Sequence, residues 1–475
     1  MKGLPWRSRG GPFVRCAPMH GAPLADAAWA RAGEDDLGMS DPFREMIRRR
    51  KAGAAVGIPS FCCANELAIE ALLEQGRSRP GLMVLIEGTV NQIGQFGGYT
   101  GMAPKGFRDR VRSIADRAGA DKDRLILGGD HMGPLPWARL PAVEAMKNAK
   151  ELVRLCVLAG FTKIHLDTSM RLGDDPRDAR LPDEVIAERG VILLKECDAA
   201  YRELLREEPE AARPVYVIGS EVPIPGGAQE ETGLEVTRPE DFEGALAAYR
   251  RKFKEHGIEE LWDDVVAVVV QPGVEFSDRG IRPYGRKAAA ELCGALKRHP
   301  DVVFEGHSTD HQPPRQLREM VEDGIAILKV GPALTFALRE GLFALSRMEE
   351  ELIPDTARRS CFIETLEAAM STDPKHWERY YRGSEDELRL ARRYSLSDRS
   401  RYYLSRPDVQ TAMERLFHNI DASIGEAKLP MGMLSQYMPL QHRRALDGAL
   451  AFRARDLVKD HVAQVGEVYH AACHE

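Results

Sequence analysis

The sequence predicts an α/β protein built on a (β/α)8 barrel, a TIM barrel, with a helical extension at its C-terminal end. Two observations support this prediction. Short β-rich runs alternate with longer amphipathic segments from residue 52 to about 345, which is typical of βαβ units on a parallel sheet. Polar residues also stand at the C-terminal ends of these runs, where barrel enzymes keep their reactive groups.

The number of runs distinguishes a barrel from an open sheet. Eight runs are rich in β-formers, at residues 56–61, 82–87, 124–130, 163–167, 215–221, 265–271, 302–305 and 325–330. Between them lie seven segments with apolar residues at helical spacing, at 65–73, 107–118, 145–158, 182–205, 239–256, 285–297 and 315–321. Eight such units suit a barrel, whose usual size is about 250 residues. An open doubly wound sheet remains the alternative, because it too places polar groups at strand ends.

We expect three regions along the chain. Residues 1–45 contain Arg, Gly, Pro and Ala without an apolar signal segment, and we interpret them as a poorly ordered extension, with Met39 or Met46 as the natural start. Residues 46–345 form the barrel. Residues 346–475 lose the β signals, and helical periodicity continues through 362–370, 376–381, 385–393, 409–420 and 445–461.

One segment of the C-terminal region is unusually rich in Arg and Tyr. It reads RYSLSDRSRYY at residues 393–403. We interpret it as the junction between the helical region and the barrel, and a role in ligand binding is the alternative.

Composition limits the classes of function. The 475 residues carry 66 Lys and Arg against 73 Asp and Glu, a net charge of −7, which argues against a nucleic-acid partner. The longest aliphatic run, 265–270, is far shorter than the roughly 20 residues that span a bilayer, so we expect no membrane association. Eight scattered cysteines without a CxxC pair favour a reducing, cytoplasmic compartment.

Two clusters at strand ends are candidates for chemistry. Asp130 and His131 follow the third run, where an imidazole can bind a divalent metal and a carboxylate can move a proton on a substrate hydroxyl. Glu305, His307, Ser308 and Thr309 follow the seventh run. There a Glu or His can ligate metal, and the two hydroxyls can hold a phosphate together with the helix end after Gly331. A simple polar turn is the alternative for this second cluster.

Other polar residues at this end of the barrel are candidates for substrate binding. The glycine-rich loop NQIGQFGGYTGM at 91–102 offers Asn91, Gln95 and Tyr99 but has neither GxGxxG nor Walker spacing, so we expect no nucleotide. Asp167 and Gln271 end their runs, and an amide such as Gln271 can bind sugar hydroxyls. Lys329 is expected to pair with a carboxylate or a phosphate, with a Schiff base as the alternative.

Long motifs in the barrel region resemble one family. They are LIEGTVNQIGQFGGYTGM, LILGGDHMGP, GFTKIHLDTSM, YVIGSEVPIPGG, VVVQPGVEF, EGHSTD and ILKVGPALTFALRE. They are similar to the GatZ/KbaZ family, the second subunit of bacterial D-tagatose-1,6-bisphosphate aldolase, and the resemblance covers about residue 46 to the C-terminus. It implies a TIM barrel related to zinc-dependent class II aldolases and a role in galactitol or N-acetylgalactosamine catabolism. It also implies a non-catalytic partner of the aldolase subunit, often called a tagatose-6-phosphate kinase.

The sequence departs from the pattern of catalytic class II aldolases. Asp130 and His131 match the proton-transfer carboxylate and one metal ligand that the resemblance implies. The His expected after the sixth strand is replaced by Gln271, and Glu305 stands at the place of the last ligand. We therefore expect no three-histidine zinc site, and a metal would bind through His131, Glu221, Glu305 and His307.

Two functions follow from the resemblance and the residues. The first is a partner subunit that supports a class II tagatose-bisphosphate aldolase and retains a pocket for a ketose phosphate, with homo-oligomers also possible. The second is a metal-dependent ketose or ketose-phosphate 4-epimerase that acts on fructose 6-phosphate and tagatose 6-phosphate by retro-aldol cleavage, with Asp130 moving the C4 hydroxyl proton. Kinase activity is disfavoured because the sequence offers no nucleotide-phosphate loop.

Overall fold

Eight parallel strands close into a barrel in the computed structural model, which describes residues 41–79, 82–176, 180–219 and 235–474. The strands, numbered β1 to β8, are Ile58–Cys62, Val84–Thr89, Leu125–Met132, Lys163–Leu166, Val215–Ile218, Val265–Val270, Val303–Gly306 and Ile325–Val330. Each strand pairs in parallel with its neighbours in the chain, and β8 pairs with β1 through partners such as Phe61 and Val330. The predicted (β/α)8 barrel is therefore confirmed, and the open sheet is excluded.

Helices surround the barrel. The first, α1, is Pro42–Lys51 and precedes β1; the others that belong to the barrel, α2 to α9, are Glu66–Ser78, Pro104–Ala118, Ala142–Leu158, Asp183–Glu207, Pro239–Glu255, Arg286–Leu296, Pro314–Glu322 and Pro332–Leu352. Their apolar faces and the outward side chains of the strands form one large core. No helix among the described residues is long and apolar enough to cross a membrane.

The chain after α9 is helical, as predicted. Helices α10 to α15 are Phe362–Thr372, Glu385–Tyr394, Pro407–Gly425, Met431–Tyr437, Pro439–Leu446 and Ala454–Cys473. The last of these returns to the barrel and packs against α2, α8, α9 and β1. The prediction of one helix at 445–461 is wrong, because Gly448 adopts a left-handed backbone (φ 70°) that separates α14 from α15. The predicted helix at 376–381 is wrong too, since only a short 3-10 turn, Pro374–His376, forms there.

Helix α1 closes the N-terminal end of the barrel. Asp41 caps it by accepting a hydrogen bond from the Phe43 backbone N–H at 2.9 Å. Phe43, Met46 and Ile47 are buried and cluster with the inward-facing apolar side chains at the beginnings of the strands, among them Ile58. The helix starts four residues before the predicted domain boundary at 46, and residues 1–40 lie outside the described part of the chain.

Candidate functional site

The end of β3 has an unusual backbone that brings two consecutive side chains to the same place. Side chains alternate across a strand, so neighbouring residues normally point to opposite faces. His131 has φ 52°, a left-handed conformation that is uncommon outside glycine, and the pairing of β3 with β4 shifts register between Gly129 and Met132. Asp130 and His131 can therefore both reach the mouth of the barrel, and such strained irregularities are typical of functional sites.

Three histidines from three strands meet at this mouth. His131 ends β3, His165 lies in β4, and His307 follows β7. The ring centroids are 5.0 Å apart for His131 and His165, 4.9 Å for His131 and His307, and 5.1 Å for His165 and His307. With Asp130 they form a buried group whose possible ligand atoms all lie within 4.8 Å of one another. This group has the composition of a metal site.

Each imidazole is held by a different carboxylate. Asp167 Oδ2 lies 2.8 Å from Nδ1 of His131. Asp130 Oδ1 lies 2.9 Å from Nδ1 of His165. Glu305 Oε1 lies 2.9 Å from Nε2 of His307. Metal-binding histidines use one nitrogen in this way so that the other is oriented and made more basic.

The nitrogens left over are Nε2 of His131, Nε2 of His165 and Nδ1 of His307. Nε2 of His165 gives the clearest indication of a metal site, because it is buried and has no hydrogen-bond partner among the described residues. We assign the proton of His165 to Nδ1, since the charged carboxylate at 2.9 Å is a better partner than the backbone N–H of His131 at 3.2 Å. The lone pair on Nε2 is then free to coordinate a divalent ion such as Zn²⁺.

The protonation tendencies of these groups follow from burial and charge. Burial lowers the pKa of His307 to about 4, even though Glu305 opposes the change. Burial would lower the pKa of His131, but Asp130 and Asp167 raise it above its ordinary value. Burial would raise the pKa of Asp167, but the bond from His131 brings it down to about 2. His307 is thus a neutral imidazole, as a metal ligand must be.

A network of buried charges lies beside the histidines. Lys163 Nζ bridges Glu87 Oε1 at 2.7 Å and Glu305 Oε2 at 2.6 Å, and all three side chains are fully buried. Lys329 Nζ contacts Glu87 and lies 2.9 Å from Asp130 Oδ1. Burial would lower the pKa of Lys329, but Asp130 and the other anions hold it well above its usual range. Gly128 makes room for this network, because a Cβ there would lie 2.7 Å from Glu87 Cγ.

A cavity of about 660 Å³ opens above these groups, within the range of ligand pockets. The barrel contributes Cys62, Asp130, His131 and His307, among others, to its walls, and the loop after β2 and the C-terminal region contribute further residues. Cys62 Sγ lies 3.6 Å from Asp130 Oδ2, and burial raises the pKa of its thiol well above the ordinary value. A small polar molecule in this cavity would contact the histidine cluster.

Two of the four predicted metal ligands enter the cluster, namely His131 and His307. Glu305 instead binds His307 and Lys163 and has no place in the group that could hold an ion. Glu221 lies outside the described residues. A third imidazole, His165 from β4, joins His131 and His307. Three histidines therefore meet here, although Gln271 and Glu305 still stand at the two places where the class II pattern has its other ligands.

Five of the predicted substrate-binding residues line the cavity, and their role stays a prediction. They are Asn91, Tyr99, Ser308, Lys329 and Gly331. The backbone N–H groups of Gly331 and Ala333, at the start of α9, already donate to the Asp310 carboxylate at 3.0 and 2.8 Å. A protein carboxylate therefore occupies the helix end that we expected to hold phosphate.

The other four make internal contacts and are not among the residues that line the cavity. Gln95 donates to the backbone oxygen of Asn148 in α4 at 2.9 Å. Gln271 accepts from the backbone N–H groups of Gly273 and Val274 and so closes its own turn. Thr309 is buried and donates to the backbone oxygen of Lys329 at 2.6 Å. Asp167 orients His131.

Sequence reasoning did not include His165, Lys163 or Glu87 among the candidate site residues, although a signal was available for each. Glu87 ends the second run, as the other candidates end theirs. Lys163, His165 and Asp167 occupy every second position of the fourth run, so strand alternation predicts that their side chains share a face. Asp167, at the end of that run, was already a candidate. The interpretation of 393–403 as a junction was incomplete, because Arg401 and Tyr402 line the cavity.

Comparison with known proteins gives a family match. The family model described as D-tagatose-1,6-bisphosphate aldolase subunit GatZ/KbaZ-like matches residues 43–474. A crystal structure described as a probable tagatose 6 phosphate kinase from Sinorhizobium meliloti 1021 is 41% identical, with a TM-score of 0.79, and the match covers 88% of this chain and 100% of that one.

Two further structures match at lower similarity. Fructose-bisphosphate aldolase from Campylobacter jejuni is 14% identical with a TM-score of 0.40, covering 81% of this chain and 93% of that one. Fructuronate-tagaturonate epimerase UxaE from Cohnella laeviribosi is 13% identical with a TM-score of 0.38, covering 87% and 82%. Similarity at this level supports no conclusion about the chemistry of this chain.

Proposed function

Because the chain belongs to the GatZ/KbaZ-like family of D-tagatose-1,6-bisphosphate aldolase subunits, we propose that it supports a class II catalytic subunit of that aldolase. The family match over residues 43–474 is the observation that carries this proposal. In this role the chain raises the activity and the stability of its partner in galactitol or N-acetylgalactosamine catabolism. A cytoplasmic location is part of the proposal, supported by seven free cysteines among the described residues.

Co-expression tests the supporting role. The chain and a cognate class II tagatose-bisphosphate aldolase should co-purify, and the aldolase should gain activity or lifetime in the complex. The aldolase expressed alone is the control. Unchanged aldolase activity together with the absence of a complex would contradict the proposal.

A second candidate is supported by the histidine cluster. We propose that the barrel itself can act as a metal-dependent 4-epimerase on a ketose or ketose phosphate, such as fructose 6-phosphate or tagatose 6-phosphate. Three imidazoles, each fixed by its own carboxylate, and an unpartnered Nε2 on His165 fit a divalent ion. Such an ion, when bound, polarises the carbonyl or hydroxyl oxygen of the substrate.

The residues of the chain supply the proton transfers. Asp130 lines the cavity, and among the described residues its Oδ2 has two long polar contacts, 3.6 Å to Cys62 Sγ and 3.7 Å to His131 Nε2. In the proposed reaction this oxygen takes the proton of the C4 hydroxyl while the C3–C4 bond breaks. The aldehyde fragment then rotates and presents the opposite face of C4 to C3. The C3–C4 bond forms again, and Asp130 returns the proton to O4. Lys329, 2.9 Å from Asp130 Oδ1, orients the carboxylate.

Asp130→Asn separates the two candidates. The amide keeps the shape of the side chain but cannot exchange a proton, so intrinsic epimerase turnover should fall by at least about 100-fold. Activation of a partner aldolase should remain, since Asp130 lies inside the barrel mouth. Full epimerase activity in this variant would remove the proposed mechanism, and loss of partner activation despite normal folding would show that the supporting role also depends on this pocket.

A further inference from the structure

We propose that Arg401, together with the phenol of Tyr402, forms an anion subsite that holds the terminal charged group of the substrate. The inference rests on the proposal that the cavity takes a ketose or a ketose derivative. It adds that one end of the sugar reaches the histidine cluster and that its other end, bearing a phosphate or a carboxylate, reaches the C-terminal region.

Charge pairing singles out Arg401 within the cavity. Four Lys or Arg side chains line the described part of its wall, namely Arg110, Lys329, Arg401 and Arg455. Three of them pair with a carboxylate, Arg110 with Glu66 at 2.6 Å, Lys329 with Asp130 at 2.9 Å and Arg455 with Glu414 at 2.7 Å. The fourth is different.

Arg401 contacts neutral oxygens instead of a carboxylate. One of its terminal nitrogens donates to the backbone oxygen of Asp398, and the other lies 3.3 Å from the hydroxyl of Tyr402. Among the described residues, no carboxylate oxygen lies within 4.0 Å of its guanidinium. A guanidinium has five N–H donors in a planar fork that fits phosphate or carboxylate oxygens, so its charge and part of its donor set are available to a ligand.

A second guanidinium strengthens the positive potential at this wall. Arg399 lies over the ring of Tyr380, 3.2 Å from the centroid, and its Nη1 is 3.5 Å from the hydroxyl of Tyr402. Although burial would raise the pKa of Tyr402, the charges of Arg401 and Arg399 lower it below its ordinary value. The two guanidinium groups therefore favour negative charge at the hydroxyl of Tyr402, which lines the cavity.

Contacts with the barrel hold the segment in place before any ligand binds. Arg339 of α9 binds Asp398 at 3.1 Å and the backbone oxygen of Ser395 at 3.2 Å. The Leu396 backbone N–H donates to the backbone oxygen of Asp278, and His311 contacts the Leu396 backbone oxygen at 3.1 Å. A fixed guanidinium loses little conformational freedom on binding, which favours its use as an anchor.

The alternative anion site at the start of α9 is less suitable. Asp310 occupies the N–H groups of Gly331 and Ala333, and the hydroxyl of Thr309 is bound to Lys329. Of the groups that we expected to bind phosphate, only the side chain of Ser308 still lines the cavity without such a contact. A terminal anion would thus be recognised mainly from the C-terminal region.

Calorimetry on the full, zinc-loaded chain tests the subsite. The probes are inorganic phosphate, tagatose 6-phosphate, tagaturonate and unmodified tagatose, and the variants are Arg401→Met, Arg401→Lys and the control Arg406→Met. Arg406 belongs to the same segment but pairs with Asp408 at 3.0 Å and does not line the cavity. We expect Arg401→Met to weaken the binding of the anionic probes by about 10- to 100-fold, as for a lost hydrogen bond to a charged group. The affinity of Arg401→Met for tagatose and all affinities of the Arg406→Met control should stay unchanged.

The four probes separate the outcomes. Preference for tagatose 6-phosphate identifies a phosphate subsite, and preference for tagaturonate identifies a carboxylate subsite; either supports the inference. Equal affinity of Arg401→Met and the parent for the anionic probes would overturn it. If Arg401→Met does not fold, Arg401→Lys provides the test, because it keeps the charge and loses the fork, and unchanged anion affinity in it would also overturn the inference.

Failure of the inference is distinguishable from failure of the proposed function. Inorganic phosphate reports on the Arg401 subsite without a sugar. The subsite alone would be overturned if inorganic phosphate did not bind the folded parent chain and neither tagatose 6-phosphate nor tagaturonate bound it more tightly than tagatose. Aldolase activation and epimerase turnover are measured separately, with neutral tagatose as the substrate that does not need the subsite.

Discussion

The two ends of the barrel interior are built from opposite materials. At the N-terminal end, Phe43, Met46 and Ile47 of α1 pack against apolar side chains from the first residues of the strands. At the C-terminal end, the interior holds Glu87, Lys163 and the histidine cluster, all buried. The same eight strands therefore enclose an apolar plug below and a charged site above.

This difference indicates which end is present for stability. Apolar burial contributes about 25 cal/mol for each Å² removed from water, and the lower end gains this without any desolvated charge. Buried ion pairs contribute little net stability, because desolvation offsets their attraction. A protein that keeps two lysines and several carboxylates inside its barrel is expected to retain them for chemistry.

Removal of a histidine should give the largest effect at the upper end. We expect His165→Ala to weaken zinc binding by more than about 100-fold. Loss of a residue that only supports a ligand costs up to about 100-fold, and here the ligand itself is removed. Zinc titration with metal analysis of the purified chain measures this. His256→Ala is the matched control, because His256 pairs with Glu188 at 3.0 Å outside the barrel. Parent-like zinc affinity in His165→Ala would show that the cluster is not a metal site.

Loss of a buried cation should be the next largest effect. Lys163→Met leaves Glu87 and Glu305 without the ammonium that lies 2.7 and 2.6 Å away, so the free energy of unfolding should fall by about 3–5 kcal/mol. Adding Glu305→Gln removes one uncompensated charge and should recover part of the loss. Urea denaturation measures both variants, and a Lys163→Met chain as stable as the parent would contradict the picture of a costly ionic layer.

The apolar end should respond in stability alone. Met46→Ala creates a cavity where Met46 is fully buried, and we expect a loss of about 2–5 kcal/mol in the free energy of unfolding. Zinc affinity should stay unchanged, because Met46 packs only with the apolar side chains at the strand starts. A parallel fall in zinc affinity would mean that the two ends are coupled.

A fourth buried imidazole lies outside the site, and we expect its effect, a change of stability with pH, to be the smallest of those considered. His470 is buried against Phe61, with ring centroids 5.4 Å apart, and neither ring nitrogen has a hydrogen-bond partner in the described chain. Burial lowers the pKa of His470 well below 6.5. The unfolded chain therefore binds more protons than the folded chain below pH 6.5, and stability should decrease as pH falls, by at most about 1.4 kcal/mol per pH unit.

His470→Phe removes this dependence. The variant should gain stability relative to the parent between pH 7.5 and 5.5, as measured by urea denaturation at both values. An identical difference at the two pH values would show that His470 does not remain neutral inside the protein.

Much of the fold and part of the site could be predicted from the sequence. Periodicity identified the eight strands, because each strand must present apolar residues to the packed layers on both sides. Polar residues at strand ends identified Asp130, His131 and His307, because parallel strands bring those ends to one face. Family motifs gave the family, which the match over residues 43–474 confirms.

The tertiary structure decided which polar groups meet. His165 and His307 are far apart in the chain and come together only because the barrel closes and the register places both side chains inward. The left-handed backbone of His131 is also invisible in the sequence, because φ at a non-glycine residue depends on its surroundings. Arg401 reaches the cavity because a segment after the barrel folds back across its mouth. The sequence by itself determined the strands, their polar ends and the family, which depend on local pattern. Long-range packing determined the histidine cluster and the position of Arg401 at the cavity, because no local signal records which distant side chains will share one cavity.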